Sequence, residues 1–401
     1  MISNTPLMSL DCARAAADVD ATIAAMARYV DEELIPFEQA HGIGFEGMPG
    51  KDLLKQVWKR SADLGFYGLM LPREQGGAGF SAEQMCRVKE AAAGSGAVLS
   101  QHILGELSGP PRVGYLFRSA TPEQAERFLA PVCRADLAVC FALTEEQAGS
   151  DAAAIQTRAV RDGDGYVLNG RKRFISGAPY ADVAILLAVT DPAQGARGIS
   201  AFFVDMHAPG MEVVCDYVAM HGQASHADLV LTDLRVPAAN LIGEEGLGFK
   251  LGLGRINLNR LMHCATMVGY ADLALRLSIE RATTRSQFGK NIGQFQAIQH
   301  TLADMGSELY AARAMMMDAA RRLDAGSELR MEASMCKLFI AETCFRIADR
   351  AVQVHGGTGL IRGNPVEWIF RLLRMFRIVT GTSEILRNTV AKEMLGSGRG
   401  A

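Results

Sequence analysis

The sequence contains no apolar run that approaches the ~20 residues required by a membrane-spanning helix, so nothing in it predicts a membrane protein. An excess of charge of one sign is also lacking, because 41 Lys and Arg nearly balance 44 Asp and Glu, for a net charge of −3. No basic excess therefore indicates nucleic acid or an anionic membrane as a partner. The eight cysteines form no C-x-x-C pair and no metal-ligand spacing, which favours reduced thiols and no metal site.

The N-terminus lacks the basic segment followed by an apolar segment that is typical of a secretion signal. Acidic residues occupy this region instead, namely Asp11, Asp18 and Asp20. Together with the expected reduced thiols, this predicts a cytoplasmic protein.

The chain does contain enough apolar material for two or three packed subdomains, since 49% of its 401 residues are hydrophobic. Ile23, Met26 and Val30 recur at helical spacing near its start, whereas residues 137–237 alternate as short strands between turns. Helical periodicity then returns in segments long enough for bundle helices. The predicted fold class is α+β, with an N-terminal helical domain (1–135), a middle antiparallel β domain (136–240) and a C-terminal four-helix bundle (241–401).

The stretch from Arg377 to Arg387, RIVTGTSEILR, contains a helix start. Thr382 can cap free backbone N–H groups, and Glu384 lies in the first turn, where the helix dipole favours an acid. Gly381 lets the backbone approach a bound group closely, and a helix N-terminus attracts a phosphate or a polarised carbonyl. Taken alone, the stretch favours the simpler interpretation of an ordinary capped terminal helix.

Four further segments occur upstream of this stretch: LTEEQAGSD at 143–151, GRKRFISG at 170–177, RSQFGK at 285–290 and AVQVHGG at 351–357. Together and in this order, the five segments resemble the acyl-CoA dehydrogenase family over nearly the whole chain. The resemblance implies the helical, β, helical architecture, an FAD cofactor and an acyl thioester substrate. It also implies a homotetramer and an electron-transfer flavoprotein as redox partner.

The same resemblance implies roles for individual residues. Arg285 would bind the FAD pyrophosphate through its guanidinium fork, and Phe174 would pack on the flavin ring. The other residues implied in FAD binding are Leu143, Thr144, Ser176, Phe288, Gln353, Gly356, Gly357, Thr382 and Glu384. Ser150 and Arg260 match family positions near the substrate's pantetheine arm and the substrate helix. Glu146 and Gln147 replace the proline-containing step that the family usually has in this loop.

The sequence departs from the family at the catalytic base. Most members carry a glutamate where this chain has Thr380, and one branch carries it where this chain has Asn259. Neither threonine nor asparagine can remove a proton at neutral pH. The backbone N–H of Thr380 does not depend on the side chain, so polarisation of a thioester carbonyl can persist there.

Three other side chains are candidates for the proton transfer. His263 follows Asn259 by four residues and so shares its helix face, and imidazole titrates near neutrality. His102 and Glu106 are expected on the helix that, by resemblance, lines the far end of the acyl pocket. A base there would act at a more remote carbon. His221 and His226 do not by themselves make a metal site.

Three functions remain open at this point. The leading hypothesis is an FAD-dependent oxidoreductase of an acyl-CoA or acyl-carrier thioester, working by dehydrogenation with a relocated base or by reduction or elimination. The alternatives are a catalytically silent subunit of a mixed tetramer and a flavin monooxygenase on the same fold. Retention of the flavin motifs argues against the silent subunit. The acyl chain and the choice between CoA and a carrier protein are not decided by the sequence.

Overall fold

The computed structural model describes residues 18–215 and 217–396, and its first region consists of short helices. They are α1 (Val19–Tyr29), α2 (Ile35–Ala40), α3 (Lys51–Asp63), α4 (Ala82–Ala93), α5 (Ser100–Ile103), α6 (Pro122–Gln124) and α7 (Ala130–Cys133). Five-residue π-helical turns join α1 to α2 and α6 to α7. Local sequence explains the helix starts: Ser81, for example, caps α4 in a reciprocal capping box with Gln84.

The second region is a seven-stranded sheet. Its strands are β1 (Val139–Ala142), β2 (Arg158–Asp162), β3 (Gly165–Ser176), β4 (Val183–Val189), β5 (Ile199–Asp205), β6 (Met211–Val214) and β7 (His226–Pro237). They are ordered β1-β4-β2-β3-β7-β6, with β5 also paired to β4. The expectation of a purely antiparallel domain needs correction, because β4 pairs in parallel with β1 and touches β2 in parallel. Strands this far apart in the chain need no hairpin between them, so either direction is open to them.

Strand β4 is buried along its whole length, because both faces of the sheet are covered there. Val183, Ile185 and Leu187 face a core shared with the N-terminal helices, while Ala184 and Leu186 face a second core within the β domain. Alternate residues of one strand point to opposite faces, so a continuous apolar run supplies two cores.

The third region is again helical. It contains α8 (Gly248–Gly254), α9 (Ile256–Thr284), a small hairpin of β8 (Ser286–Gln287) and β9 (Lys290–Asn291), α10 (Gln296–Asp324), α11 (Arg330–His355), α12 (Pro365–Met375) and α13 (Ser383–Met394). Helices α9, α10 and α11 pack on one another, and α12 and α13 pack on α11. Within the described ranges, no helix combines the length and the apolar character needed to cross a membrane.

The helices of the first and third regions share one hydrophobic core. Helix α4 lies so close to α9 that a Cβ on Gly269 would come within 2.3 Å of the Glu90 carbonyl oxygen. The absence of a side chain at Gly269 therefore permits this contact. The predicted architecture, helical regions on either side of a β domain, is confirmed.

Candidate functional site

An exposed aromatic side chain stands at the edge of the β domain, where β3 is irregular. The register of β3 with β7 shifts between Lys172 and Ile175, and Phe174 in that interval has a φ of +57°. Phe174 is 53% exposed, and its ring is flanked by Tyr217, with ring centroids 5.5 Å apart. A non-glycine residue with positive φ at a bulge is costly and often marks a functional position.

The buried carboxylate of Asp228, on β7, holds this bulge in place. Asp228 is 2% exposed, and its Oδ1 accepts hydrogen bonds from the Tyr217 hydroxyl at 2.7 Å and the Phe174 N–H at 3.2 Å. Its Oδ2 accepts from the Arg171 guanidinium at 2.9 Å. Burial opposes ionisation, but these donors hold the pKa of Asp228 below its usual value. The Phe174 ring is thus presented by a satisfied polar network.

A buried ion pair fixes the loop that follows β1. The Lys172 ammonium lies 2.7 Å from the Glu145 carboxylate, and both side chains are almost completely buried. Burial lowers the pKa of Lys172 to about 8, whereas the charge and hydrogen bonds of Lys172 outweigh burial and keep the pKa of Glu145 below its usual value. Lys172 also donates to the Leu143 carbonyl, and the Arg173 N–H donates to the Thr144 carbonyl.

Leu143 and Thr144 are thereby attached to β3, near Phe174. Ser176 lies half-buried at the end of β3, opposite His226, and Ser150 is exposed in the loop. The sequence analysis missed the Glu145–Lys172 pair, although each residue stands inside a recognised motif. The presence of a charged residue inside each motif was the available signal for a buried pair. The two residues are 27 positions apart in the sequence, so their contact could not be inferred from local spacing.

The proposed pyrophosphate ligand lies on the exposed hairpin after α9. Arg285 directly follows α9, and its guanidinium forms no ion pair with any described residue. Phe288, at the hairpin tip, is 93% exposed and has a φ of +50°. The hairpin therefore presents a cation and an aromatic ring outward.

Gln353, Gly356 and Gly357, at the end of α11, are all exposed. Gly356 has a φ of +60°, which favours glycine, but a Cβ on Gly357 would meet nothing within 4 Å. The packing of this chain therefore gives no reason for a glycine at Gly357. Close approach of a group from outside the chain would give one.

The loop between α12 and α13 contains Thr380. Thr380 and Gly381 both have positive φ, +58° and +96°. The buried Lys337 ammonium donates to the carbonyls of Phe376 and Gly381, the latter at 2.9 Å, and so closes the loop from inside. Within the described part of the chain, the Thr380 N–H has no hydrogen-bond acceptor. Thr382 caps α13 by accepting from the Ile385 N–H, as predicted, and Glu384 is exposed in its first turn.

Arg260 lies beside this loop without an acidic partner. Its guanidinium is buried, donates to the Ser334 hydroxyl at 3.0 Å, and has a buried Nε without an acceptor in the described residues. A Cβ on Gly381 would lie 3.7 Å from its Nη2. Asn259, the preceding residue on α9, is half-buried. The guanidinium of Arg260, which has no acidic partner, therefore borders the loop that contains Thr380, where most members of the resembled family carry a glutamate.

His263 lies one helical turn beyond Asn259 and packs edge-on against Phe376, with ring centroids 5.6 Å apart. Its Nδ1 is buried and has no hydrogen-bond partner among the described residues. Burial drives the pKa of His263 well below 6.5, and nearby cations add to this effect. These cations are Lys89, Lys337, Arg255 and Arg112. The imidazole is therefore neutral at physiological pH.

The other two base candidates are engaged elsewhere. His102 is 2% exposed, its Nδ1 accepts from Trp58 Nε1 at 2.9 Å, and burial lowers its pKa to about 3. Glu106 does not lie on a helix as expected, because α5 ends at Ile103, and its carboxylate pairs with Lys89 at 2.6 Å. Both groups therefore already have a structural partner.

Three domain models of one protein family match the chain. They are the acyl-CoA dehydrogenase N-terminal domain over residues 17–136, the middle domain over 140–234 and the C-terminal domain over 246–395. The caffeyl-CoA reductase–Etf complex subunit CarC of Acetobacterium woodii is 37% identical over 345 residues, covering 85% of this chain and 90% of that protein.

Solved structures give the same result. Butyryl-CoA dehydrogenase from Megasphaera elsdenii is 29% identical, with a TM-score of 0.83 over 94% of this chain and 98% of that one. A structure of PigA with FAD and proline is 27% identical, with a TM-score of 0.84 over 95% of this chain and 98% of that one. The chain belongs to the acyl-CoA dehydrogenase family, which confirms the resemblance. It is a flavoprotein oxidoreductase that acts on a CH–CH group.

Proposed function

We propose that this protein is an FAD-dependent oxidoreductase of an acyl-CoA or acyl-carrier thioester, in which the usual catalytic carboxylate is absent. The observation that carries the proposal is the loop at Thr380, with its unpaired N–H, beside the unpaired guanidinium of Arg260. A site of this kind can bind and polarise a thioester carbonyl without a carboxylate at Thr380.

The residues present fit FAD. Phe174 and the loop at Leu143 and Thr144 would hold the ring, and Arg285 would bind the pyrophosphate of the same or a neighbouring chain. Bound FAD would supply hydride transfer. The open glycines at 356 and 357 support the part of this assignment in which the loop of one subunit completes the site of another.

We assign the thioester carbonyl to the Thr380 N–H. A positive-φ turn held by two hydrogen bonds from Lys337 keeps that N–H in one orientation, so little reorganisation is needed when a negative charge develops on the oxygen. The Arg260 guanidinium adds positive charge at the same place. The Ser150 hydroxyl is exposed and free to contact the pantetheine arm.

For the proton, the proposal favours His263. Nδ1 of His263 has no partner among the described residues. Nδ1 of His102 already accepts from Trp58, which leaves the proton of that neutral ring on its unpartnered Nε2, and Glu106 is paired with Lys89. A neutral imidazole can accept a proton, although its depressed pKa makes it a weak base. Slow reaction with plain saturated acyl-CoAs follows from this weakness.

Two partners belong to the proposal. Exposed apolar side chains in the third region, including Phe288, Tyr310 and Leu360, are consistent with a homotetramer. The name of the Acetobacterium relative, which includes an Etf complex, supports an electron-transfer flavoprotein as redox partner.

Absorbance titration of the purified protein tests the proposal. We expect about one FAD per chain, a tetramer by light scattering, and a change in the flavin spectrum on addition of acyl-CoAs. His263→Ala is expected to abolish turnover, with His207→Ala, an exposed histidine, as control. A colourless protein that does not take up FAD would instead support a silent subunit, and oxygen consumption by the reduced enzyme would support a monooxygenase.

A further inference from the structure

The start of α9 carries an arginine held between two aromatic rings. The Arg255 guanidinium lies 4.8 Å from the ring centroid of Tyr115 and 4.7 Å from that of Phe141. One of its N–H groups donates to the Pro111 carbonyl at 3.3 Å. A guanidinium stacked on aromatic faces keeps its remaining N–H donors along its edge, where they match the two oxygens of a carboxylate.

A second arginine stands next to this contact. Arg112 follows Pro111 directly, is half-buried, and donates from Nε to the Glu106 carbonyl at 3.0 Å. Burial and the charge of Arg255 together lower the pKa of Arg112 to about 10, so it remains protonated at neutral pH.

No acid among the described residues forms an ion pair with either of these arginines. Among the described residues, neither Arg112 nor Arg255 forms an ion pair, and the nearby Glu106 carboxylate is bound to the buried Lys89. Two neighbouring guanidinium groups with limited access to water repel each other and lose hydration, which is unfavourable unless an anion compensates. The charge of Glu106 acts on Arg112, but its carboxylate is already bound to Lys89, so a ligand is the natural source of an anion bonded directly to the pair.

The pair also lies near the residues that the proposed function assigns to the substrate. Arg255 precedes Arg260 by five residues on the same helical stretch, a rise of about 7.5 Å at ~1.5 Å per residue. Arg260 borders Gly381, and the charges of Arg112 and Arg255 both act on His263, which contacts Phe376. The arginines are therefore separated from the thioester loop by a short stretch of α9.

We propose that the acyl group of the substrate ends in a carboxylate, which Arg112 and Arg255 bind. This inference rests on the proposed function, because it places the thioester of the same molecule at Thr380. The substrate class is then the CoA or carrier thioester of a dicarboxylic acid. An apolar acyl end would leave both guanidinium charges without an anionic partner.

Matched ligands test the proposal on the wild-type holoenzyme. The dissociation constants of succinyl-, glutaryl-, adipyl- and suberyl-CoA are measured from the flavin spectrum and compared with those of their neutral monomethyl esters. For the chain length that fits, we expect the free acid to bind about 10–100-fold more tightly, the range for charge-assisted hydrogen bonds. Neutral esters that bind as well as the acids at every length would overturn the inference and leave the proposed function intact. If no acyl-CoA of either kind perturbs the flavin, both fail.

Substitutions of the two arginines test whether they bind the carboxylate. Arg112→Gln and Arg255→Gln are each expected to reduce the ratio of acid to ester affinity towards one, with FAD content and melting temperature confirming that they fold. Arg118→Gln, which changes an exposed arginine six residues after Arg112, is the matched control and should keep the wild-type ratio. A ratio that survives both substitutions would assign the carboxylate to other residues and overturn the proposal, and the wild-type comparison decides alone if a variant does not fold.

Discussion

The buried charged groups at the edge of the β domain have partners of opposite charge or hydrogen-bond donors within this chain. The arginines around the start of α9 have no such charged partner among the described residues. Glu145 and Asp228 are buried and accept several hydrogen bonds each from this chain. Arg112, Arg255 and Arg260 have no carboxylate partner among the described residues. Matched groups build a rigid support, and unmatched ones mark where charge is supplied from outside.

The largest effect is expected from introducing a carboxylate at position 380. Thr380→Glu would place a carboxylate beside Arg260 and restore a base at the family's usual position. We expect 2,3-dehydrogenation of simple saturated acyl-CoAs to rise by about 10²–10⁴-fold, the usual contribution of a positioned base. The initial rate of flavin bleaching measures it. Thr380→Gln has nearly the same shape without the charge and should give no gain; equal rates for the two variants would refute the role assigned to the position.

The next largest effect is expected from breaking the buried ion pair between Lys172 and Glu145 at the edge of the β domain. Lys172→Met leaves the Glu145 carboxylate buried without its cation, so the free energy of unfolding should fall by about 3–5 kcal/mol. Denaturant titration measures the loss. Arg235→Gln removes an exposed ion pair with Asp162 in the same sheet and should cost no more than about 1 kcal/mol. Similar losses in the two variants would show that the buried pair is not special.

Arg285 gives a smaller effect at the proposed cofactor site. Arg285→Ala removes a charged hydrogen-bond donor from the pyrophosphate and should weaken FAD retention by about 10–100-fold. Equilibrium dialysis of the flavin measures this. Lys290→Ala in the same hairpin removes a similar charge that already lies over Phe295, and it should retain FAD like wild type. Undiminished retention by the Arg285 variant would remove Arg285 from the site.

The last effect concerns acid stability and is small near neutral pH. Because burial lowers the pKa of His102 to about 3, the unfolded chain binds its proton first as the pH falls below about 6.5. Stability is therefore full above pH 6.5 and falls towards pH 3, by about 2 kcal/mol at pH 5. His102→Gln keeps an acceptor for Trp58 and should flatten this slope in pH-dependent unfolding. His207→Gln, at the surface, should not.

The fold was accessible from the sequence because its signals are local. The change from helical spacing to strand alternation near residue 137, and back again near 249, requires only neighbouring residues. The parallel pairing of β1 with β4 was not accessible, since it depends on which distant strands meet. The helix expected around Glu106 ends at Ile103 because Gly105 adopts a left-handed φ of +67°, and the Glu106 carboxylate pairs with Lys89 instead.

The site divides in the same way. The sequence by itself determined the order of the motifs, the helix cap at Thr382 and the loss of the glutamate at Thr380, because these are properties of short segments. Only the tertiary structure decided which charges are matched. Lys172 finds Glu145 across 27 residues, whereas Arg255 meets Pro111 across 144 residues and finds no acid there. Coulomb and hydrogen-bond energies depend on distance in space and on burial, and neither is recorded in the spacing of residues along the chain.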